Sequence, residues 1–205
     1  MSQVQAGKRR PDILRWAMLV VALVGAAAVL YVIGAASFKP KPVADLREFR
    51  RGSLEKLVVA SEPLPAPDIP FTDEAGKSVR LADFKGQVVV MNLWATWCAP
   101  CKVEMPTLAR LQAAYAVQPF KVVAISVDRP ADLKLAKAEM ARNTPLKLYL
   151  DPGYKVAFGL EPRAQGFPTT VIYDRKGMER ARLAGDADWS STEARGLVER
   201  LLAER

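Results

Sequence analysis

The sequence predicts an α/β domain, and three observations carry that prediction. Val88 to Leu93 is an apolar, β-branched run of the kind a fully buried strand needs. Phe120 to Val127 is a second such run. Between them Met105, Leu108, Leu111, Ala114 and Tyr115 recur at helical spacing. A strand–helix–strand path of this length favours parallel pairing through a crossover.

At 205 residues the chain is long enough for one well-packed domain with accessory segments. Trp16 to Ala36 carries no charge over 21 residues and follows Lys8, Arg9, Arg10 and Arg15. That length can cross a hydrocarbon core of about 30 Å as a helix. We expect a short basic tail over 1–12 and an uncleaved anchor over 13–37. The other reading is a cleaved signal peptide, with Ala35-Ala36-Ser37 as a poor small-residue cleavage site. Basic residues flank both sides of the segment, so their count does not orient it. Lys39-Pro-Lys-Pro42 predicts an extended spacer. Asp45 to Val59 predicts one or two short amphipathic helices broken at Gly52, with Ser53 as an N-cap. They read as packed on the domain rather than lying in a membrane surface, within a linker that runs from 38 to 63.

Phe71 to Leu81 predicts a β-hairpin turning at Asp73-Glu-Ala-Gly76. Pro106 falls inside the first long helix and removes one of its hydrogen bonds. Ala131 to Arg142 predicts a helix, Leu146 to Leu150 a strand and Tyr154 to Leu160 a short helix. Thr169 to Tyr173 and Glu179 to Leu183, joined by Asp174-Arg-Lys-Gly177, predict a second hairpin, and Ser191 to Ala203 a closing amphipathic helix.

The chain carries a net charge of +8 and no histidine. Four of its 30 basic and one of its 22 acidic side chains lie in 1–37, leaving 26 against 21. That modest, mixed excess suits an acidic partner surface or anionic lipid, and no nucleic-acid motif accompanies it. The only two cysteines form Cys98-Ala-Pro-Cys101, where the strand ends and a helix begins. Pro100 suits a first helical turn, and a helix start favours ionisation of a thiol at Cys98. Two intervening residues let the sulfurs close into a disulfide and reopen. An accessible Cys98 fits the attacking thiolate, and Cys101, one turn further in, fits the thiol that resolves a mixed disulfide. A structural bridge this short would stabilise little. A four-ligand zinc site lacks its other cysteines or histidines, which leaves only a two-coordinate or shared Cu(I) site as a metal reading.

Trp94-Ala-Thr-Trp-Cys-Ala-Pro-Cys101, Pro106 and Gly166-Phe-Pro-Thr169 resemble the thioredoxin superfamily. Leu64-Pro-Ala-Pro-Asp-Ile-Pro-Phe71 and Leu81-Ala-Asp-Phe-Lys-Gly86 are similar to its membrane-anchored TlpA group, relatives of ResA and CcmG. The resemblance spans about Leu64 to Leu202. It implies a thioredoxin-like domain over 64–205, with a central mixed sheet flanked by helices, an N-terminal β-hairpin extension and a central helix–strand insertion. It further implies a cis Phe167–Pro168 peptide opposite the cysteines, and client contacts at Trp97, Ala99, Pro100, Phe167 and Pro168. Ordinary thioredoxins place a buried aspartate where Asn92 stands here, and Asn92 cannot titrate. Glu104 matches a glutamate of ResA-like relatives and is a possible proton acceptor; its other reading is a solvated helix charge.

The implied activity is thiol:disulfide exchange without a bound cofactor or metal, in a domain facing the periplasm. No histidine or charge stands between the cysteines to stabilise a thiolate, which favours a reductant over an oxidant. Implied clients are a copper metallochaperone, the copper subunit of cytochrome oxidase, or apocytochrome c, with electrons supplied by a DsbD- or CcdA-like membrane protein. Two other classes stand beside it. A thiol peroxidase would carry Pro-x-x-x-Thr-x-x-Cys, yet the residue three before Cys98 is Ala95. A Cu(I) chaperone of the Sco type uses a wider cysteine pair plus a histidine. Peroxide turnover and Cu(I) titration separate the three.

Overall fold

A computed structural model describes residues 13–37 and 45–204. The expected basic tail and the Lys39–Pro42 spacer lie outside the described residues. The chain divides into two units, Met1–Val43 and Ala44–Arg205. In the first, α1 (Ile13–Ser37) is one helix. Its stretch Arg15–Val32 is long and apolar enough to cross a membrane, and every described side chain on it is exposed.

The second unit opens with two 3-10 turns, Arg47–Phe49 and Gly52–Leu54, followed by β1 (Val58–Val59). This corrects the expected helices. Gly52 takes a left-handed φ of 56°, which separates the two turns at the expected position and keeps an α-helix from running through it. Arg51, not Ser53, holds the N-cap position of the second turn. The linker boundary moves as well. Leu46, Leu54 and Leu57 are completely buried in the main core, and β1 pairs antiparallel with a strand near the carboxyl end. Residues 45–63 are therefore part of the domain.

The hairpin follows as β2 (Phe71–Asp73) and β3 (Ser78–Val79). Asp73 Oδ1 accepts from Ala75 N and Lys77 N, and Gly76 takes φ 82°, the conformation the turn demands. Then come β4 (Val88–Trp94), α2 (Ala99–Ala114), β5 (Phe120–Ser126), α3 (Leu133–Arg142), β6 (Leu148–Leu150), α4 (Lys155–Gly159), β7 (Thr169–Tyr173), β8 (Glu179–Ala184) and α5 (Thr192–Ala203). Each differs from its expected span by a few residues at most.

The eight strands form one mixed sheet in the order β1-β8-β7-β4-β5-β6-β2-β3. β4 lies at its centre, parallel to β5 and antiparallel to β7. Its side chains alternate between two cores. Val88, Val90 and Trp94 face the side packed by Leu108 of α2, Met140 of α3 and Leu197 of α5. Val89, Met91 and Leu93 face the side packed by Val156 and Ala157 of α4. Burial on both faces is why β4 reads as a continuous apolar run. The insertion widens the sheet, since β6 extends it in parallel from β5 and offers its other edge to β2.

Candidate active site

The site begins where β4 ends. Thr96 N donates to both carboxylate oxygens of buried Asp128 at 3.0 Å, and Thr96 Oγ1 donates to Oδ1 at 2.8 Å. Ser126 Oγ donates to the other oxygen at 2.7 Å. Asp128 thus ties the turn after β4 to the end of neighbouring β5. Cys98 N then donates to Ala95 O at 3.1 Å. These bonds set Cys98 as the N-cap of α2, with Ala99 and Pro100 opening the helix in exposed positions.

Cys98 and Cys101 form a disulfide with S–S 2.06 Å. Cys98 Sγ also accepts from Cys101 N at 3.3 Å, so the sulfur itself satisfies one of the unpaired donors of the helix start. This fold-back limits its accessibility. Cys98 is 5% exposed and Cys101 is 0% exposed. Both are buried in the disulfide form, so the expected accessible thiol at Cys98 is corrected to a sulfur with only a small opening.

Glu104 lies one helical turn beyond Cys101, so the two share a helix face. It is 1% exposed, which removes the reading as a solvated charge. Three donors hold its carboxylate. Asn92 Nδ2 donates to Oε1 at 2.7 Å, Trp189 Nε1 to Oε2 at 2.9 Å, and Ala187 N to Oε2 at 3.2 Å. Burial nevertheless dominates and pushes the Glu104 carboxyl up to about 7; the three donors pull it down, and the Asp186 charge adds to the rise. Asn92 also donates to Thr170 Oγ1 at 2.9 Å. The central strand therefore supplies an orienting amide where an acid would otherwise stand. Sequence reasoning missed Asp128, Trp189 and Thr170, because each works through a contact made across a long span of chain.

Trp97 is 61% exposed, and its ring meets that of Phe167 edge-on at 5.9 Å between centroids. Phe167–Pro168 is a cis peptide, as are Thr144–Pro145 and Glu161–Pro162, which no sequence signal indicated. Gly166 O accepts from Thr169 Oγ1 at 2.7 Å and Pro168 O accepts from Gly185 N at 2.9 Å. Phe167 is thus held between two fixed points, with its ring against the residue that precedes Cys98.

A mixed sheet that delivers a paired dithiol to the tip of a helix, against a cis-proline loop, defines a thioredoxin-like thiol–disulfide oxidoreductase. Comparison with known proteins agrees. The chain belongs to the AhpC/TSA family, whose model matches residues 64–181. It is similar to the thiol-disulfide oxidoreductase ResA of Bacillus thuringiensis (strain Al Hakam), 29% identical over 134 residues, covering 64% of this chain and 73% of that one. ResA of Geobacillus kaustophilus (strain HTA426) is 33% identical over 124 residues, covering 58% and 67%. Among solved structures, a DsbF homologue from Corynebacterium diphtheriae superimposes with a TM-score of 0.60 at 27% identity, covering 71% of this chain and 90% of that one. Since Ala95 stands three residues before Cys98, the peroxidase signature suggested by the family name is missing here.

Proposed function

We propose that the chain is a membrane-tethered dithiol reductant of partner-protein disulfides, with its second unit facing the periplasm. The observation that carries this reading is the buried Glu104 carboxyl, one turn beyond Cys101 and raised to about 7, beneath a redox pair at a helix tip. In the reduced protein the Cys98 thiolate attacks one sulfur of a client disulfide. A Cys98–client disulfide forms, and the first client sulfur leaves as a thiolate that takes up a proton. Cys101 gives its proton to Glu104 and attacks Cys98 Sγ, closing the Cys98–Cys101 bond and releasing the second client thiolate. The client gains two electrons, and the protein returns to its disulfide form. A carboxyl poised near neutral pH is suited to that proton transfer.

Trp97, Ala99, Pro100 and Phe167 form the surface that receives the client, while Pro168 is buried and shapes the loop through its cis peptide. An extended client segment pairs beside the cis-proline loop as an added strand does. The likeness to the TlpA group favours clients in cytochrome oxidase copper-site assembly, a metallochaperone or the copper-bearing subunit; apocytochrome c is the second choice. Electrons reach the oxidised pair from a DsbD- or CcdA-like membrane protein. A Cys101→Ser variant stops at the mixed disulfide and is expected to accumulate covalent adducts with its clients, identifiable after non-reducing separation. Recovery of no adduct from cells that carry the expected clients contradicts the reading.

The tether rests on α1, whose apolar stretch matches a membrane-spanning length. The full chain is expected to sediment with membranes and resist carbonate extraction. A soluble mature form beginning near Phe38 rules the anchor out.

A further inference from the structure

The ring of Phe167 touches more than Trp97. Its centroid lies 6.0 Å from that of Tyr154, and Tyr154 lies 6.2 Å from Phe158. Four aromatic side chains thus run in unbroken contact from the residue before Cys98 across the cis-proline loop to α4. The far end is open, with Phe158 59% exposed.

The backbone beneath this stripe is firmly held. Asp151 Oδ2 accepts from Val156 N at 2.8 Å in the first turn of α4, while Ala164 N donates to Ala157 O at 3.0 Å and ties α4 to the segment leading to Pro168. Gly159 sits so close to Ile69 that a Cβ there would lie 1.9 Å from Ile69 Cδ1. Among the described residues Tyr154 is the one non-glycine with a left-handed φ, at 56°. A bulky residue in that region is strained, and such strain persists only where the surroundings over-determine it. Glycine stands one position earlier, at Gly153, so the turn puts its ring at the position that most resists a side chain. The result is a short, tied-down helix that keeps a large apolar ring in water at the far end of the row of rings that starts at Trp97.

We propose that Tyr154 and Phe158 extend the client-binding surface and read an apolar, preferably aromatic, side chain a few residues from the client's cysteine. The occupant follows from continuity with the exchange surface. Any client that reaches Cys98 lies against Trp97 and Phe167, and these rings pass directly into Tyr154 and Phe158. Extended peptide advances about 3.3 Å per residue and presents alternate side chains to one face. A residue an even number of positions from the cysteine therefore faces the row of rings on the cysteine's own side, and Phe158, three ring contacts from Trp97, is met about four to six positions away. This inference rests on the exchange reading and adds a rule for choosing among clients.

The test uses the reduced full-length protein and synthetic peptides, each carrying one disulfide. The peptides differ only in having phenylalanine or alanine four or six residues before or after the cysteine. The wild-type protein is expected to reduce one phenylalanine peptide about tenfold faster than the alanine peptide, as for an aromatic anchor in a shallow pocket. Phe158→Ala is expected to bring that ratio close to one, and Phe158→Leu to retain part of it. An unchanged thermal melt for Phe158→Ala confirms that the fold survives, as expected for so exposed a ring. A wild-type ratio of one, or a ratio unaltered in Phe158→Ala, overturns the proposal. Self-association of the wild-type protein that disappears in Phe158→Ala also overturns it, because the stripe then serves a second copy of the chain. Failure to reduce any of the peptides overturns the exchange reading instead.

Discussion

A chain shortened to begin at Leu64, the point where the family likeness starts, is expected to lose most of its stability. A chain beginning at Ala44 is expected to keep it. The difference is the segment that reads as a linker. It carries Leu46, Leu54 and Leu57, each completely buried in the core shared with α2 and α5, and it supplies β1 to the sheet edge. Truncating one such leucine to alanine typically costs about 2–5 kcal/mol. Three together match the whole stability of an ordinary domain, about 5–15 kcal/mol. The shortened chain also uncovers the edge of β8, an open template for pairing with other chains. Urea titration of both chains checks this. A shared midpoint would mean that the segment merely rests on the domain.

Replacing Glu104 by glutamine is expected to act on both stability and catalysis, each with a pH signature. The folded carboxyl has a pKa raised from 4.5 to about 7. Below 4.5 both folded and unfolded chains hold the proton, so the favourable contribution is fully present. As pH rises from there to about 7, the unfolded chain releases its proton first and the folded state progressively loses stability. Each pKa unit corresponds to about 1.4 kcal/mol, so the fall across this window is about 3 kcal/mol. Glu104→Gln keeps the shape, removes the titration and should flatten that slope. It should also slow release of the client from the mixed disulfide near neutral pH, with recovery at higher pH as Cys101 ionises unaided. A variant with the wild-type slope and the wild-type pH–rate profile would exclude Glu104 from the proton step.

The elements that position this site were legible because they obey local rules. β4 and β5 announce themselves as apolar runs, both hairpins by turns with glycine at positive φ, and the redox pair by its place at a strand–helix junction. Less could be read where a residue's role depends on distant chain. Leu46 lies just before one 3-10 turn and Leu54 inside the next; their packing on the domain was legible from their apolar spacing, but the element that covers them, α5, lies more than 100 residues away. Asn92 was legible as an acid replaced, but its orienting role emerges only once Glu104 and Thr170 are seen to flank it. The setting of Glu104 was equally hidden. The sequence left Glu104 open between a proton acceptor and a solvated helix charge, and only the bond from Trp189, 85 residues later, shows how it is buried.

That Cys98 attacks and Cys101 resolves is tested most directly by the alkylation rate of each thiol in the reduced protein across pH. Cys98 caps α2 and keeps a residual opening to solvent, while Cys101 has none. Cys98 is expected to be labelled first, with an apparent pKa below the free-thiol value of about 8.5, because a helix start favours the thiolate. Preferential labelling of Cys101 would contradict the assignment and reverse the roles of the pair.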